Sequence, residues 1–269
     1  YLPVAAGIQR MMDYYQGRSR IISMALTAFI PLLFMGLGMG TYVRNTVWSS
    51  EKLLWEDALS KAPHASRPLH YLAWVYQQHF SDENTAMVLY QKALKGRRNN
   101  RVQEAQIYNN MAVIYYHRTA YEAAAKYWLK SLETQPGVPE LRYRLALAQL
   151  RSGNLDAAKH NLQMLISDQS DYVDAIRLLA IVHLLANDDA RALPLLRKGL
   201  KLSPQDAANL VNLAAYYQHN AEPRKAIVFL REALKINPDD PMILIWLIAV
   251  NTELDRVDSA ATYTKKLLE

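Results

Sequence analysis

The chain has no cysteine, which excludes disulfides, zinc–thiolate sites and thiol catalysis. It also lacks G-x-x-x-x-G-K-[ST], a G-x-G-x-x-G after a strand, G-x-S-x-G and H-E-x-x-H. Backbone-cradled phosphates, a nucleophile elbow and a helical zinc pair therefore have no carrier here. The seven histidines are dispersed; His117 and His219 stand at equivalent positions too far apart to share a metal. Asp188–Asp189 and Asp239–Asp240 fall at turns or helix starts, where short carboxylates cap backbone N–H groups rather than share a cleft. No catalytic, cofactor-binding or metal residue is expected, and no cofactor. No N-x-[ST] sequon occurs, which favours a bacterial setting. The net charge of +6 is moderate and reads as a solvated surface with some Lys/Arg excess, whereas a nucleic-acid binder would show a clustered stripe, so no nucleic-acid partner is expected. Between Arg20 and Arg44 there is no charge at all.

What the chain does have is a period. Ala112, Ala146, Ala180, Ala214 and Ile248 follow one another at a constant step, and so do Ala124, Ala158, Ala192, Ala226 and Ala260. Pro136, Ser170, Pro204 and Pro238 keep the same step. Between each pair of small residues lie two helical patterns with a polar break. Small residues let paired helices approach, larger ones such as Leu145 and Leu162 fill the space, and the prolines end each unit. Gly153 and Asn187 suit a left-handed residue between the two helices. The step of about 34 residues and this layout resemble the tetratricopeptide-repeat superfamily across about residues 47–269. The expected class is all-α, with an N-terminal transmembrane helix followed by a right-handed solenoid of antiparallel helix pairs.

Residues 1–20 read either as an interfacial amphipathic helix, with Val4, Ile8, Met11, Met12 and Tyr15 on one face, or as the end of an upstream membrane segment. Tyr1 in place of methionine suggests a sequence truncated at its N-terminus. Residues 21–42 reach about 33 Å as a helix, against a bilayer core of about 30 Å. Pro31 lies mid-span, and Gly36 and Gly40 form a small-xxx-small pair for membrane helix packing. Arg10, Arg18 and Arg20 precede the span while Arg44 and Lys52 follow it. That bias places the repeats on the periplasmic or lumenal side, with membrane lipid a partner.

The repeats divide as a half repeat at 47–63, a diverged one near 67–100, then 105–138, 139–172, 173–206, 207–240 and 241–269. The interval from Ala73 to Ala112 is longer than the period, with the surplus near 95–101. That basic segment reads as a cationic helix end and solvated loop; contact with lipid phosphate or nucleic acid is the competing reading. In the last repeat, residues 242–250 are apolar nearly all round and no polar capping helix follows. This predicts a partner, self-association, or further residues.

The working surface expected is the concave face lined by first helices. Counted on the period, its residues include Trp74, with His70 and Gln77 beside it; Asn109, Val113 and Tyr116; Tyr143, Leu147 and Leu150; Arg177, Ile181 and Leu184; and Val211, Ala215 and Gln218. Repeat domains that clamp a chaperone's terminal carboxylate use Lys and Asn here, and Asn109 with Arg177 do not complete that set. An aromatic and aliphatic groove suits an apolar or helical peptide. Some of these side chains could equally be inter-helix packing.

A second resemblance rests on Tyr1-Leu2-Pro3, the apolar span, and Thr41-Tyr42-Val43-Arg44-Asn45-Thr46-Val47-Trp48-Ser49-Ser50-Glu51. This is similar to the junction in transmembrane and tetratricopeptide-containing O-mannosyltransferase-like proteins. Arg10 and Asp13 depart from the apolar span expected there. The resemblance implies a polytopic glycosyltransferase parent using a lipid-linked sugar, with its catalytic acids upstream and no site residue carried into this chain. Three functions stand as expectations: a membrane-tethered scaffold binding proteins outside the cytoplasm; the acceptor-recognition tail of a membrane glycosyltransferase or polysaccharide ligase; and, third in rank, a cytoplasm-facing assembly factor.

Overall fold

A computed structural model describes residues 6–7, 9–10, 13–14, 20–96 and 100–268; the side chains at 20–23, 26, 27 and 30 lie outside the description. The amphipathic face assigned to Val4, Ile8, Met11, Met12 and Tyr15 falls outside it too, as do residues 97–99 of the basic segment. The described residues form fourteen helices and no strand, in two compact units, Tyr1–Arg98 and Asn99–Glu269.

In the first unit α1 (Arg20–Val47) is followed by α2 (Glu51–Lys61), α3 (Ser66–His79) and α4 (Glu83–Lys95). α1 contains Pro31, and its described apolar side chains, among them Phe29, Leu32, Phe34 and Leu37, are exposed. Among the described residues no helix is long and apolar enough to cross a membrane. The apolar run of the sequence also includes Ile21, Ile22, Leu26 and Ile30, which the described side chains omit. Ser50 starts α2 by accepting a hydrogen bond from the Leu53 amide at 3.2 Å, and Asp82 starts α4 by accepting from Thr85 at 3.0 Å. Trp55 of α2 stacks on Tyr71 of α3 at 4.6 Å, so the lone helix α2 is held by a ring pair and buries no residue of its own fully.

The second unit is five antiparallel helix pairs. They are α5 (Arg101–His117) with α6 (Tyr121–Thr134), α7 (Pro139–Arg151) with α8 (Leu155–Asp168), and α9 (Val173–Leu185) with α10 (Asp189–Leu202). Then come α11 (Ala207–His219) with α12 (Pro223–Ile236), and α13 (Pro241–Glu253) with α14 (Val257–Leu268). The alanines that mark the period at 112, 146, 180 and 214, and at 124, 158, 192 and 226, are all 0% exposed. A Cβ is all that fits where two helix backbones approach, and leucines 145, 162, 196 and 230 fill the gaps beside them. Ile248 and Ala260 are only half-buried, because no described layer covers the last pair. The surplus of the period is now placed: α5 has 17 residues where α7 has 13, so one additional turn, residues 101–104, precedes the regular lattice.

Each first helix of this unit ends in the same turn. The left-handed residue is Thr119, Gly153, Asn187, Ala221 or Asp255, with φ of 58°, 82°, 55°, 53° and 53°, each one period after the last. The next amide bonds back over five residues in every case, from Ala120 to Tyr115 at 2.9 Å and from Asn154 to Gln149 at 2.8 Å, for example. This is the Schellman arrangement. Gly153 takes that backbone without steric cost, and the short polar side chains of Asn187 and Asp255 ease it; for Thr119 and Ala221 it costs about 1–2 kcal/mol. Thr119→Gly should therefore raise stability by about 0.5–1 kcal/mol after the glycine's extra unfolded-state freedom is subtracted. Urea unfolding of the two chains checks it, and a destabilised Thr119→Gly would contradict this reading of the turn.

Candidate partner-binding face

The second unit brings Asn109, Tyr116, Tyr143 and Arg177 together in a connected run over three repeats. Asn109 Oδ1 accepts from the Trp128 indole Nε1 at 3.0 Å, and its Nδ2 donates to Asn110. Trp128, on the partner helix α6, is 3% exposed and lies 5.6 Å from the Tyr116 ring. Tyr116 also meets Tyr121 edge-on at 5.1 Å. Val113 packs on the core around Ala112 and Trp128. Tyr143 tilts against Tyr172 at 5.9 Å, and Asp174, Arg177, Glu140 and Tyr116 all act electrostatically on its hydroxyl. Burial, then Asp174, raises the Tyr143 hydroxyl pKa above its ordinary value.

Arg177 is fixed from two sides. It pairs with Asp174 one turn earlier and with Asp206 of the next repeat at 2.7 Å. Asp206 in turn caps α11 by accepting from the Ala208 amide at 2.9 Å. The neighbouring Tyr172 donates to Glu140 at 3.0 Å, and Glu140 also takes the Arg144 guanidinium at 2.7 Å. Burial, with this hydrogen bond and the nearby charges of Glu140 and Asp174, pushes the Tyr172 phenol up to about 12. The middle of the face is thus a pair of tyrosine rings framed by a held lattice of carboxylates and guanidinium groups. It offers hydrogen-bond acceptors and flat apolar rings.

Farther along, Leu147 and Leu150 pack on the core around Leu162 and Leu179, Ile181 is half-buried, and Leu184 packs near Leu196. Gln218 closes the run by donating to Glu253 of the last repeat, leaving its own buried Oε1 without a hydrogen-bond partner. Beyond it Met242 and Ile245 of α13 are exposed.

Four residues stand elsewhere. Trp74 belongs to the first unit, where its ring meets His79 edge-on at 5.7 Å. Gly36 and Gly40 sit on α1 with nothing within 4 Å of where a side chain would begin. His70, which the period places on the groove, is instead 5% exposed between the rings of Tyr71 and Tyr90. Burial lowers its pKa to about 4, so it is neutral at pH 7. Asp188 does not cap α10 with its side chain, which is drawn to His183 at 3.1 Å and Arg191 at 3.3 Å. Among the described residues no group of three or more His, Asp or Glu could hold a metal ion. An open cleft of 380 Å³ beside Thr119, Tyr121 and Ser152 brings no acid–base pair together.

Sequence reasoning missed Tyr172, Asp206 and Trp128 as parts of this face. Their partners lie 19 to 32 residues away, and only the packed lattice brings them into contact.

Family models described as tetratricopeptide repeat match residues 105–135, 143–207 and 207–240, the stretches that form these helix pairs. The chain carries tetratricopeptide repeats. Solved repeat proteins share the fold. TTC0263 from Thermus thermophilus is 24% identical with a TM-score of 0.55, covering 61% of this chain and 90% of that one. YrrB, a repeat protein with an unusual peptide-binding site, is 19% identical with a TM-score of 0.57, covering 71% and 95%. MamA from Desulfovibrio magneticus is 21% identical with a TM-score of 0.52, covering 61% and 93%. Among curated proteins, human protein O-mannosyl-transferase TMTC1 is 26% identical over 103 residues, 38% of this chain. The chain spans only 12% of that relative's length.

Proposed function

We propose that the chain is a membrane-tethered tetratricopeptide scaffold, with α1 as the tether and the first-helix face of the second unit as the seat of a protein or peptide partner on the extracytoplasmic side. Tetratricopeptide repeats are suited to protein–protein interaction. The tether rests on one observation above all: α1 runs for 28 residues without a charge between its first residue and Arg44, and its described apolar side chains are exposed. Such a continuous apolar surface is costly in water and favourable in lipid. Only residues 48–50 separate α1 from α2, and Arg44 pairs with Asp57 of α2 at 3.7 Å, which supports a short, held junction. The three arginines before the span support the orientation.

A second reading is favoured by the likeness to TMTC1 and by Arg44, Asn45 and Trp48 at the end of α1. In it the repeats are the acceptor-recognition region of a polytopic glycosyltransferase or polysaccharide ligase whose chemistry lies outside this chain. Both readings put the repeats on the same side. Protease added to spheroplasts carrying the chain should digest the repeats without opening the membrane, and alkaline carbonate should leave the chain in the membrane pellet. Digestion only after lysis would overturn the orientation, and release by carbonate would overturn the tether.

A further inference from the structure

The last three repeats separate their charge by helix. From Val173 to Leu268 the second helices α10, α12 and α14 carry ten basic and three acidic side chains, while the first helices and turns carry two basic and eight acidic. The acidic side is largely answered in place, by Arg177, by helix caps and by pairs such as Lys225 with Glu222 and Lys266 with Asp239. On the basic side Arg197, Lys198, Lys201, Arg224 and Arg231 have no hydrogen-bond or ion-pair partner among the described residues.

The placement is regular. Arg197 and Arg231 are one period apart, as are Lys201 and Lys235, and Leu202 and Ile236. On α12 Arg224, exposed Val228 and Arg231 follow one another at four and three residues, one helical face. Helix stability does not account for it. A cation helps only in a helix's last turn, where Lys201 and Lys235 stand, whereas Arg224 is in the first turn of α12, at the end whose dipole repels it.

We propose that this basic face of the second helices docks on a bilayer surface containing anionic lipid. The exposed side chains between the charges are aliphatic, Leu202, Val228 and Ile236, and the one aromatic residue of α12, Phe229, packs inward. A surface that binds single-stranded nucleic acid stacks bases on exposed aromatics; aliphatic side chains among Lys and Arg suit the headgroup and acyl boundary. The inference rests on the tether of the preceding reading for its strength, because a chain already held at a membrane meets that surface at high effective concentration. Each basic side chain near an anionic surface then contributes about fivefold in binding.

Because the chain has no cysteine, one introduced residue can be labelled alone. The full chain, as Val228→Cys or Ile245→Cys with a fluorescent label, is reconstituted with vesicles of phosphatidylcholine, or of phosphatidylcholine mixed with phosphatidylglycerol. Quenching by neutral acrylamide should fall about threefold at position 228 with the anionic lipid only, reverse in high salt, and stay unchanged at position 245. Replacing the five unpaired basic residues by glutamine should abolish the shielding while flotation with the vesicles persists. Equal quenching in both vesicle types overturns the proposal. Shielding by soluble polyglutamate but not by anionic vesicles also overturns it, in favour of an acidic protein. Flotation reads the tether separately: flotation with anionic vesicles alone sinks the tether and keeps the face, and flotation with neither sinks both.

Discussion

Trp128→Ala should cost about 3–5 kcal/mol of stability, a large share of the 5–15 kcal/mol that holds a typical domain. Trp128 is almost wholly buried in the core of the first helix pair of the second unit, with Ala112, Ala124 and Leu145 around it. Truncation leaves a cavity the size of an indole between helices whose separation the neighbouring alanines already fix. It also removes the N–H that Asn109 accepts, so a half-buried amide oxygen loses its donor. The conservative Trp128→Phe keeps most of the packing and should lose only about 1–2 kcal/mol. Because repeats stabilise their neighbours, the loss should appear first as faster hydrogen exchange in α5 and α6 and fade toward α13. A Trp128→Ala chain unfolding within about 1 kcal/mol of the parent would refute this account of the core.

The second large effect is in the first unit and depends on pH. His70 titrates near 4 in the fold because burial opposes its charge, and near 6.5 when unfolded. Above pH 6.5 both states are neutral and stability is complete. As pH falls from 6.5 toward 4, the unfolded chain takes up a proton that the folded chain refuses, and stability drops. The gap corresponds to about 3 kcal/mol by pH 4. His70→Gln should remove this part of the acid sensitivity, so the difference in stability between parent and variant should change by about that amount between pH 7 and pH 4. If the difference is flat across that window, His70 is not held neutral by the fold.

The repeat lattice was legible in the sequence because close helix packing admits only a small side chain, and alanine at a fixed step leaves that mark. The left-handed turn was legible at Gly153 and Asn187 and hidden at Thr119, Ala221 and Asp255. There the helix pair imposes the backbone, and the residue tolerates it. His70 was misplaced for a related reason. The period breaks between Ala73 and Ala112, α3 is preceded by the lone helix α2, and a residue in groove register is covered by Tyr71 and Tyr90 instead. Asp188 at a helix start looked like a cap, but a buried histidine five residues earlier draws its carboxylate away. The network around Arg177 was half legible: the arginine stood at a groove position, but Asp206 is 29 residues on and is also a cap. Local pattern reports each residue's own helix well and its partner in the next repeat poorly.

This bears on what the face can recognise. Tyr116 and Tyr143 are held by ring contacts and Arg177 by two carboxylates, so little side-chain freedom is lost on binding. A partner segment laid across them would meet rigid aromatic surface in the centre and leucines beyond.

The most direct measurement is capture of partner from detergent extracts by the chain and by a Tyr116→Ala, Tyr143→Ala, Arg177→Ala variant, with the helical content and unfolding midpoint of both recorded alongside. The account predicts that the folded variant loses at least about tenfold in recovered partner, the equivalent of about 1.4 kcal/mol. Undiminished capture by a folded variant would contradict the placement of the partner on this face.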